Sequence, residues 1–198
     1  MSPNEQCSSP PQPWPERERV GLERARAEIS SADPTLPMVR HQMLAFLEEH
    51  PDALVRTCLA GHLTGSALVV DDDTGKVLLL HHAKLQRWLQ PGGHADGDGD
   101  LGAVALREAT EETGLVDLVL VRPAIDLDLH TIPARGAEPE HLHLDVRYLV
   151  LATNASALVI NNESTAARWV DPLAERHLLP SVDLRRLADA GVARLARP

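Results

Sequence analysis

The stretch "DLGAVALREATEETGL", residues 100–115, predicts the helix that decides the fold of this chain. At about 100° per residue, one face of the helix begins with apolar residues, which are Leu101, Val104 and Ala105. The same face ends with carboxylates, which are Glu108, Glu111 and Glu112. The roughly opposite side carries Ala103, Leu106, Ala109 and Thr110. Gly114 then stands where a left-handed cap favours glycine, so we expect the helix to end there.

The three glutamates are unfavourable at this end of a helix. Carboxylates near a helix C-terminus oppose the macrodipole, and like charges four residues apart repel. Arg107 can pair with Glu111 and relieves only part of this repulsion. A solvated charged turn and a divalent-cation site are both open interpretations. The second is favoured by continuity with the apolar face, and clustered carboxylate oxygens suit Mg²⁺ or Mn²⁺ better than zinc.

The composition predicts a folded, acidic protein. Among 198 residues, 43% are hydrophobic and 24% are charged, and the formal net charge is −10. This balance argues against nonspecific binding to nucleic acid or to anionic membranes. Two cysteines, Cys7 and Cys58, are too few for a disulfide framework, which is typical of a reducing compartment. No signal peptide or apolar membrane span is present, so we expect a cytoplasmic protein.

Changes in amino-acid composition along the chain suggest three segments. Residues 1–15 are rich in proline, serine and glutamine and are expected to form a disordered tail. Residues 16–56 read as a helical N-terminal segment, broken by prolines. Residues 57–198 read as the main domain, with a hairpin at 66–82, a glycine- and aspartate-rich loop at 91–100, strands at 118–132 and 140–153, a further strand and a final helix. Strands around one central helix indicate a mixed α/β or α+β class.

The surroundings of the acidic helix resemble the Nudix box. That motif reads G-x5-E-x7-R-E-U-x-E-E-x-G-U, where U is a bulky aliphatic residue. Residues at the same spacing in this chain are Gly93, Arg107, Glu108, Glu111, Glu112, Gly114 and Leu115, and Ala109 is a small substitute for the first aliphatic. The resemblance extends over roughly residues 60–175. It implies a Nudix-type α/β/α sandwich with a mixed sheet, preceded here by the short helical segment.

The resemblance also implies an activity and its residues. Nudix hydrolases cleave a diphosphate linked to another group and use Mg²⁺ or Mn²⁺. Carried onto this chain, Glu108 and Glu112 would be the main metal ligands, helped by Glu111 and by the carbonyl near Gly93. Arg107 would hold the glutamates in place. The metal would supply the positive charge that an acidic protein needs for an anionic substrate.

One residue departs from the motif. Gly99 stands where the first glutamate of the box is expected. In the family, that glutamate supports the box arginine and the metal cluster. Asp98 and Asp100 flank the gap, and either carboxylate is a candidate substitute. A functional site of altered detail, a weakened enzyme and a binding-only domain are the three interpretations that this glycine leaves open.

Two later segments alternate polar and apolar residues. In 125–132 the polar set is Asp126, Asp128 and His130, and in 140–148 it is His141, His143, Asp145 and Arg147. If the two segments pair as antiparallel strands, period-two alternation brings both sets to one sheet face. That face is either exposed to solvent or part of a substrate cleft. The histidines favour the cleft, with His130, His143 and Arg147 as candidate phosphate contacts.

Three further residues are candidates. Glu163 lies in a turn ahead of Trp169, where several Nudix enzymes place a catalytic base or a metal ligand. His94 follows the paired glycines and is either a ligand to metal or phosphate, or a structural loop residue. His82 lies at the edge of a loop that is a candidate substrate rim.

The sequence therefore predicts a metal-dependent Nudix pyrophosphohydrolase acting on a nucleoside diphosphate derivative or a similar small diphosphate. The alternative is a catalytically weakened domain that binds a ligand or regulates. An isomerase of the same fold is disfavoured, because such enzymes carry a cysteine just before the box and none lies between residues 59 and 198 here. The helical segment has two open roles, covering the cleft or mediating a homodimer.

Overall fold

Four α-helices form in the computed structural model, which describes residues 15–32 and 36–196. They are α1 (Glu16–Ser31), α2 (Pro37–Glu49), α3 (Leu101–Thr113) and α4 (Val182–Leu195). The predicted disordered tail lies, apart from Pro15, outside the described residues. Both helices of the N-terminal segment form as expected, and Pro37 occupies the first turn of α2, where its missing N–H costs nothing.

Seven strands make one mixed sheet. They are β1 (Gly61–Asp71), β2 (Val77–His82), β3 (Arg87–Leu89), β4 (Gly92–His94), β5 (Leu118–Ile132), β6 (His141–Ala152) and β7 (Ser164–Val170). The main order is β3-β2-β1-β6-β5, with β4 paired to β1 and β7 to β2. Only β1 and β6 pair in parallel, and the other pairs are antiparallel. The predicted α/β/α sandwich with a mixed sheet is confirmed.

The sheet has a buried core on each face. On one face, α1, α2 and α3 pack against strand residues through Ile29, Met43, Leu47, Leu101 and Ala105, which contribute to one cluster with Leu63, Leu144 and Val146. On the other face, α4 packs through Leu184, Leu187 and Ala188 against Leu68, Leu79 and Ile125. Since the N-terminal segment shares a core with the sheet, it is packed on the main domain as part of the same α-helical layer.

The buried side of α3 differs from the prediction. Ala109, expected on the far side, is fully buried and continues the inward stripe from Leu101 and Ala105 at four-residue spacing. Thr113 is buried as well, whereas Glu111 is exposed. The apolar stripe is therefore not replaced by carboxylates; it continues beside them, because a small residue at position 109 lets the helix lie close to the sheet.

Both ends of α3 are defined by single residues. Asp100 is the N-cap and accepts a hydrogen bond from the Ala103 amide at 2.9 Å. Gly114 adopts a left-handed conformation with φ of 63° and closes the helix as predicted. The loop predicted at 91–100 also contains the short strand β4. Two of its three residues are glycines, so the sequence shows no alternation of polar and apolar residues there.

Helix α1 lies directly against the loop that precedes α3. A Cβ atom added to Gly99 would overlap the backbone of Gly21, including its carbonyl oxygen, so only glycine fits at position 99. Two turns further along α1, Glu28 accepts hydrogen bonds from the Gly102 amide at 3.2 Å and from Arg122 at 2.6 Å. The Tyr148 hydroxyl also donates to Glu28. Position 99 is thus a packing position in this chain.

Membrane insertion finds no support in the helices of the described chain, none of which has both the length and the apolar character to cross a bilayer.

Candidate active site

The Nudix-box residues meet where the C-terminal half of α3 faces β4. Gly93 lies against the carboxylate of Glu108, and a Cβ atom at position 93 would collide with that carboxylate. The first glycine of the motif is therefore required by close approach. The Glu108 carboxylate therefore occupies the space beside the Gly93 backbone on the α3 side of the sheet.

Glu112 is the most perturbed acid of this region. Its Oε1 accepts a hydrogen bond from the Gly92 amide at 3.0 Å. The pKa of Glu112 is raised to about 7, first by burial and then by the nearby charges of Glu108, Glu163 and Glu111, against the lowering effect of the Gly92 hydrogen bond. The charged groups that act most strongly on Glu112 are all carboxylates. The carboxylate is thus short of positive charge.

Arg107 is the cation beside the glutamates. It donates to Glu108 at 3.0 Å and lies 4.0 Å from Glu111. It also reaches the His94 carbonyl at 3.5 Å, which ties α3 to the end of β4. Burial nevertheless raises the pKa of Glu108 against this ion pair, with help from Glu111 and Glu163. The contacts fit the predicted positioning role of Arg107.

Glu163 lies close enough to act on both partly buried glutamates electrostatically. It is exposed, immediately before β7, and its carbonyl accepts a hydrogen bond from the Ala83 amide at 2.7 Å. His82 pairs with Ser164 across β2 and β7, which places it next to the Glu163 turn. The structure thus brings the predicted base and the predicted rim histidine to the same edge.

The donor chemistry of this cluster suits Mg²⁺ or Mn²⁺. The side-chain donors are hard carboxylate oxygens, the absence of a side chain at Gly93 leaves room for the Glu108 carboxylate, and the raised pKa values indicate uncompensated negative charge. The glutamates are not drawn together, however. Among the described residues, the groups of three whose ligand atoms all lie within 4.8 Å of one another do not include them. Glu108 accepts a hydrogen bond from Arg107, and Glu112 accepts one from the Gly92 amide.

The aspartates beside Gly99 make contacts away from the glutamates. Asp100 caps α3 and accepts hydrogen bonds from Arg24 and Arg122. Asp98 is exposed and accepts from the Asp100 amide at 2.9 Å. The idea that one of them takes over the role of the first box glutamate finds no support in these contacts, because both carboxylates serve the N-terminal end of α3.

The two alternating polar segments pair as antiparallel strands, the arrangement that brings both polar sets to one sheet face. In the antiparallel pair of β5 and β6, Asp126 lies opposite Arg147, Asp128 opposite Asp145, and His130 opposite His143. Through the parallel pair of β1 and β6, the face continues to residues that the sequence analysis did not single out, which are His62, Thr64 and Ser66. Their alternation within "HLTGS" was the signal available for them.

Arg147 lies at the centre of a buried ion network on this face. Its guanidinium donates to Asp145 at 2.7 Å, to Asp128 at 2.8 Å and to Asp126 at 3.2 Å. Arg186 of α4 adds bonds to Asp126 and Asp128. Burial alone would raise the pKa of Asp128, but the His130 hydrogen bond and both guanidiniums hold it below its usual range. The predicted phosphate contact at Arg147 is not supported, since its donors are already engaged by carboxylates.

Beyond the ion network, the same sheet face ends in a histidine cluster, defined as His62, His94, His130, His141 and His143. The ring centroid of His62 lies 4.9 Å from the centroid of His94 and 4.9 Å from that of His143. Burial lowers the pKa of His94 to about 4, and burial with neighbouring imidazoles lowers the pKa of His143. His94 and His143 were predicted separately as substrate contacts, and the structure joins them instead with His62 and His141.

The family comparison agrees with this geometry. A NUDIX domain family model matches residues 61–187, which is most of the chain and includes every residue of the predicted site. The match begins at the first residue of β1, so it leaves α1 and α2 outside it.

Individual relatives match over shorter stretches. "Nucleoside diphosphate-linked moiety X motif 6" of Xenopus laevis is 44% identical over 59 residues, covering 28% of this chain and 27% of the relative. "Probable DHNTP pyrophosphohydrolase" of Lactococcus lactis subsp. cremoris (strain MG1363) is 33% identical over 90 residues, covering 44% of this chain and 52% of the relative. The chain thus spans about a quarter and about half of the lengths of these two relatives.

A solved structure supports the fold. The Ap4A hydrolase of C. elegans, in a binary complex, superposes with a TM-score of 0.56 at 19% identity, covering 68% of this chain and 97% of that one. At this identity the likeness concerns the architecture alone.

Proposed function

Because the chain belongs to the NUDIX family, we propose that it is a divalent-metal-dependent hydrolase of a diphosphate linkage in a nucleoside diphosphate derivative or a similar small diphosphate. The observation that carries the proposal is the set of partly buried glutamates against β4, above all Glu112 with its pKa raised to about 7. Carboxylates left short of positive charge in a fixed place are an arrangement that a bound cation would stabilise.

The metal would be held by Glu108 and Glu112, with the Gly93 carbonyl and Glu111 as further ligands. Mg²⁺ or Mn²⁺, when bound, supplies Lewis-acid stabilisation of the charge on the diphosphate oxygens. Arg107 positions Glu108 through their 3.0 Å contact. The Gly92 amide fixes the orientation of the Glu112 carboxylate. Together these contacts hold the ligand oxygens before the substrate arrives.

Proton transfer is assigned to the exposed acid of the group. Glu163 is exposed and acts on Glu108 and Glu112 from the neighbouring turn, so it can accept a proton from the attacking water. Glu111, whose side chain is 62% exposed, orients that water from α3. His82 stands beside the Glu163 turn and lines the approach to it.

The substrate class rests on the relatives and on charge. The names of the two matching relatives refer to a nucleoside diphosphate-linked moiety and to DHNTP. A phosphorylated small molecule of this kind is strongly anionic, and this chain carries a formal charge of −10. The bound cation therefore provides the attraction that the protein surface lacks.

The alternative function is a ligand-binding domain that does not turn over its ligand. Gly99 was the feature in its favour. The structure gives that glycine a packing reason, since α1 occupies the adjacent space. With Glu108, Glu111 and Glu112 all in place, hydrolysis is the function that the site supports best.

A metal-dependent hydrolysis screen tests the proposal. The chelator-treated chain is assayed with added Mg²⁺ or Mn²⁺ against a pterin triphosphate, a dinucleoside polyphosphate, a nucleotide sugar and a phosphomonoester. Products are identified by phosphorus NMR in ¹⁸O-water. We expect ¹⁸O to enter a phosphate of the anhydride-containing compounds only, and only with metal present.

Matched variants complete the screen. Glu108→Gln should remove turnover, whereas Glu140→Gln, at an exposed acid outside the cluster, should leave it unchanged. Turnover that survives metal removal, or an unaffected Glu108→Gln variant, would contradict the metal assignment. Tight binding of the same compounds without any product would establish the ligand-binding alternative.

A further inference from the structure

The histidine cluster lies on the opposite sheet face from the α3 carboxylates and has no part in the proposed hydrolysis. His62 begins the polar row of β1, His143 is its parallel partner on β6, and His94 ends β4 next to β1. On the same strands, Gly65 and Gly93 face α3 instead, toward Val104 and Glu108. Because successive strand residues point to opposite faces, the two sites are separated by the sheet itself.

The centre of the histidine cluster contains imidazole nitrogens without partners. His62 is only 2% exposed, and no hydrogen bond of good geometry reaches either ring nitrogen among the described residues, although the Cys58 backbone lies close enough to affect its pKa. The buried Nε2 of His141 also lacks one within the described chain. Buried polar atoms in folded proteins are normally paired, so the unpaired His62 ring, one nitrogen of which lies within 4.8 Å of a ring nitrogen of His94 and of His143, points to a ligand.

The three central rings have the separations that a shared metal ion would impose. Ring centroids lie 4.9 Å apart for His62 and His94, 4.9 Å for His62 and His143, and 5.1 Å for His94 and His143. Three imidazoles coordinated tetrahedrally at about 2.1 Å would place their centroids roughly 5 Å apart. One ligand nitrogen from each ring already lies within 4.8 Å of the other two.

We propose that His62, His94 and His143 form a second metal site, which binds a late first-row divalent cation such as Zn²⁺. Neutral imidazole nitrogens suit Zn²⁺, Ni²⁺, Co²⁺ and Cu²⁺, whereas Mg²⁺ requires oxygen ligands. The site is thus selective for a different ion from the carboxylate cluster. His94 and His143 are only partly buried, so an ion can enter past them while His62 forms the floor.

The two outer histidines of the cluster, His130 and His141, are held in place by neighbouring groups. The Nδ1 atom of His130 contacts Asp128 at 2.8 Å, and the Nδ1 atom of His141 contacts the Pro139 carbonyl at 2.9 Å. The Nε2 atom of His141 lies 3.9 Å from Glu138 Oε1, so these two histidines border the three proposed ligands and are not ligands themselves. Three aspartates and two arginines in the adjoining ion network sum to one negative charge, which also favours a cation nearby.

Cobalt titration of the chelator-treated full chain tests the proposal. Excess Mg²⁺ is present throughout to occupy oxygen ligands, and Co²⁺ binding is followed by visible absorption. We expect one equivalent to bind with d–d bands typical of nitrogen ligands, and Zn²⁺ to displace it. His94→Asn and His143→Asn should each weaken binding at least about 100-fold, whereas His41→Asn, at an exposed histidine of α2, should not change it.

The readouts separate competing sites and folding defects. A thiolate charge-transfer band would place the ion on a cysteine, such as Cys58 in the group of His50, Asp52 and Cys58, and would overturn the proposal. Unchanged Co²⁺ binding in His143→Asn, or no binding below millimolar Co²⁺, would overturn it as well. Wild-type protein gives a check that needs no variant: one equivalent of Zn²⁺ should shift the ring resonances of His62, His94 and His143 and leave that of His41 in place.

Discussion

The two ends of α3 differ in how their charges are balanced. At the N-terminal end, Asp100 caps the helix and pairs with Arg24 and Arg122, and Glu28 accepts from Gly102, Arg122 and Tyr148. At the C-terminal end, which the helix dipole makes unfavourable for carboxylates, Arg107 pairs with Glu108 and Glu111, while Glu112 accepts from the Gly92 amide. The first end is balanced by groups of this chain, and the second lacks positive charge.

This difference separates stability from function within one helix. Balanced charges and a close helix contact lower the free energy of the folded state, so changes there should unfold the protein without altering its chemistry. Unbalanced carboxylates cost stability and are retained where a ligand completes them. A substitution at one end of α3 should therefore leave the property that depends on the other end unchanged.

The largest expected effect is on activity, from Glu112→Gln. We expect turnover to fall at least about 100-fold, which corresponds to about 3 kcal/mol, because a metal ligand is lost. The melting temperature at pH 8 should be unchanged or higher, because a buried uncompensated charge is removed. Steady-state kinetics and calorimetry measure the two quantities. Glu111→Gln, at the exposed neighbour, should cost less activity, and a parallel loss of folding in Glu112→Gln would refute the separation.

The next effect is on stability, from Gly99→Ala. The added methyl group overlaps the Gly21 backbone, so α1 must move, and we expect a loss of about 3 kcal/mol in the free energy of unfolding. Gly21→Ala is the matched control on the other side of the same contact. Its Cβ meets the end of the Leu54 side chain at 3.1 Å, and alanine favours the helix, so its effect should be near zero or stabilising.

The contact between Gly99 and α1 changes what the Gly99→Glu variant tests. A glutamate at position 99 cannot simply restore the Nudix box, because α1 occupies the space beside it. The variant should lose stability as Gly99→Ala does. Urea denaturation beside activity measurements distinguishes the cases: a gain in turnover with unchanged unfolding would show that α1 is easily displaced and that position 99 belongs to the catalytic end.

A smaller loss is expected from Glu28→Ala. This side chain, 11% exposed, holds Arg122 and Tyr148 and caps the Gly102 amide. Removing it leaves buried donors unpaired, and we expect a loss of about 2 kcal/mol in the free energy of unfolding. Glu23→Ala, at an exposed acid of the same helix, should change it by less than about 0.5 kcal/mol. Turnover per folded molecule should be equal in both variants.

The same contrast shows how far the sequence predicts this protein. The family, the mixed sheet, the left-handed cap at Gly114 and the pairing of the polar strands follow from local spacing, which a linear pattern records. The packing of α1 on Gly99 does not, because it joins residues far apart in the chain. His62 is outside the predicted set for the same reason: it is a single residue at the start of β1, and its role depends on which strands lie beside it.

The smallest expected effect is a pH dependence of metal binding at the acidic end. The pKa of folded, metal-free Glu112 is about 7, above its ordinary value of 4.5. The folded state therefore binds more protons between these values, so the contribution of Glu112 to stability decreases as pH rises through this window. A cation must displace that proton below pH 7. Apparent Mg²⁺ or Mn²⁺ affinity should weaken about tenfold from pH 8 to pH 6, or about 1.4 kcal/mol, and level off above pH 8. Calorimetry in buffers of different ionisation enthalpy should count about one proton released per cation at pH 6.

Glu112→Gln should release none, and an affinity that is flat from pH 6 to pH 8 in the unsubstituted chain would show that another group holds the metal.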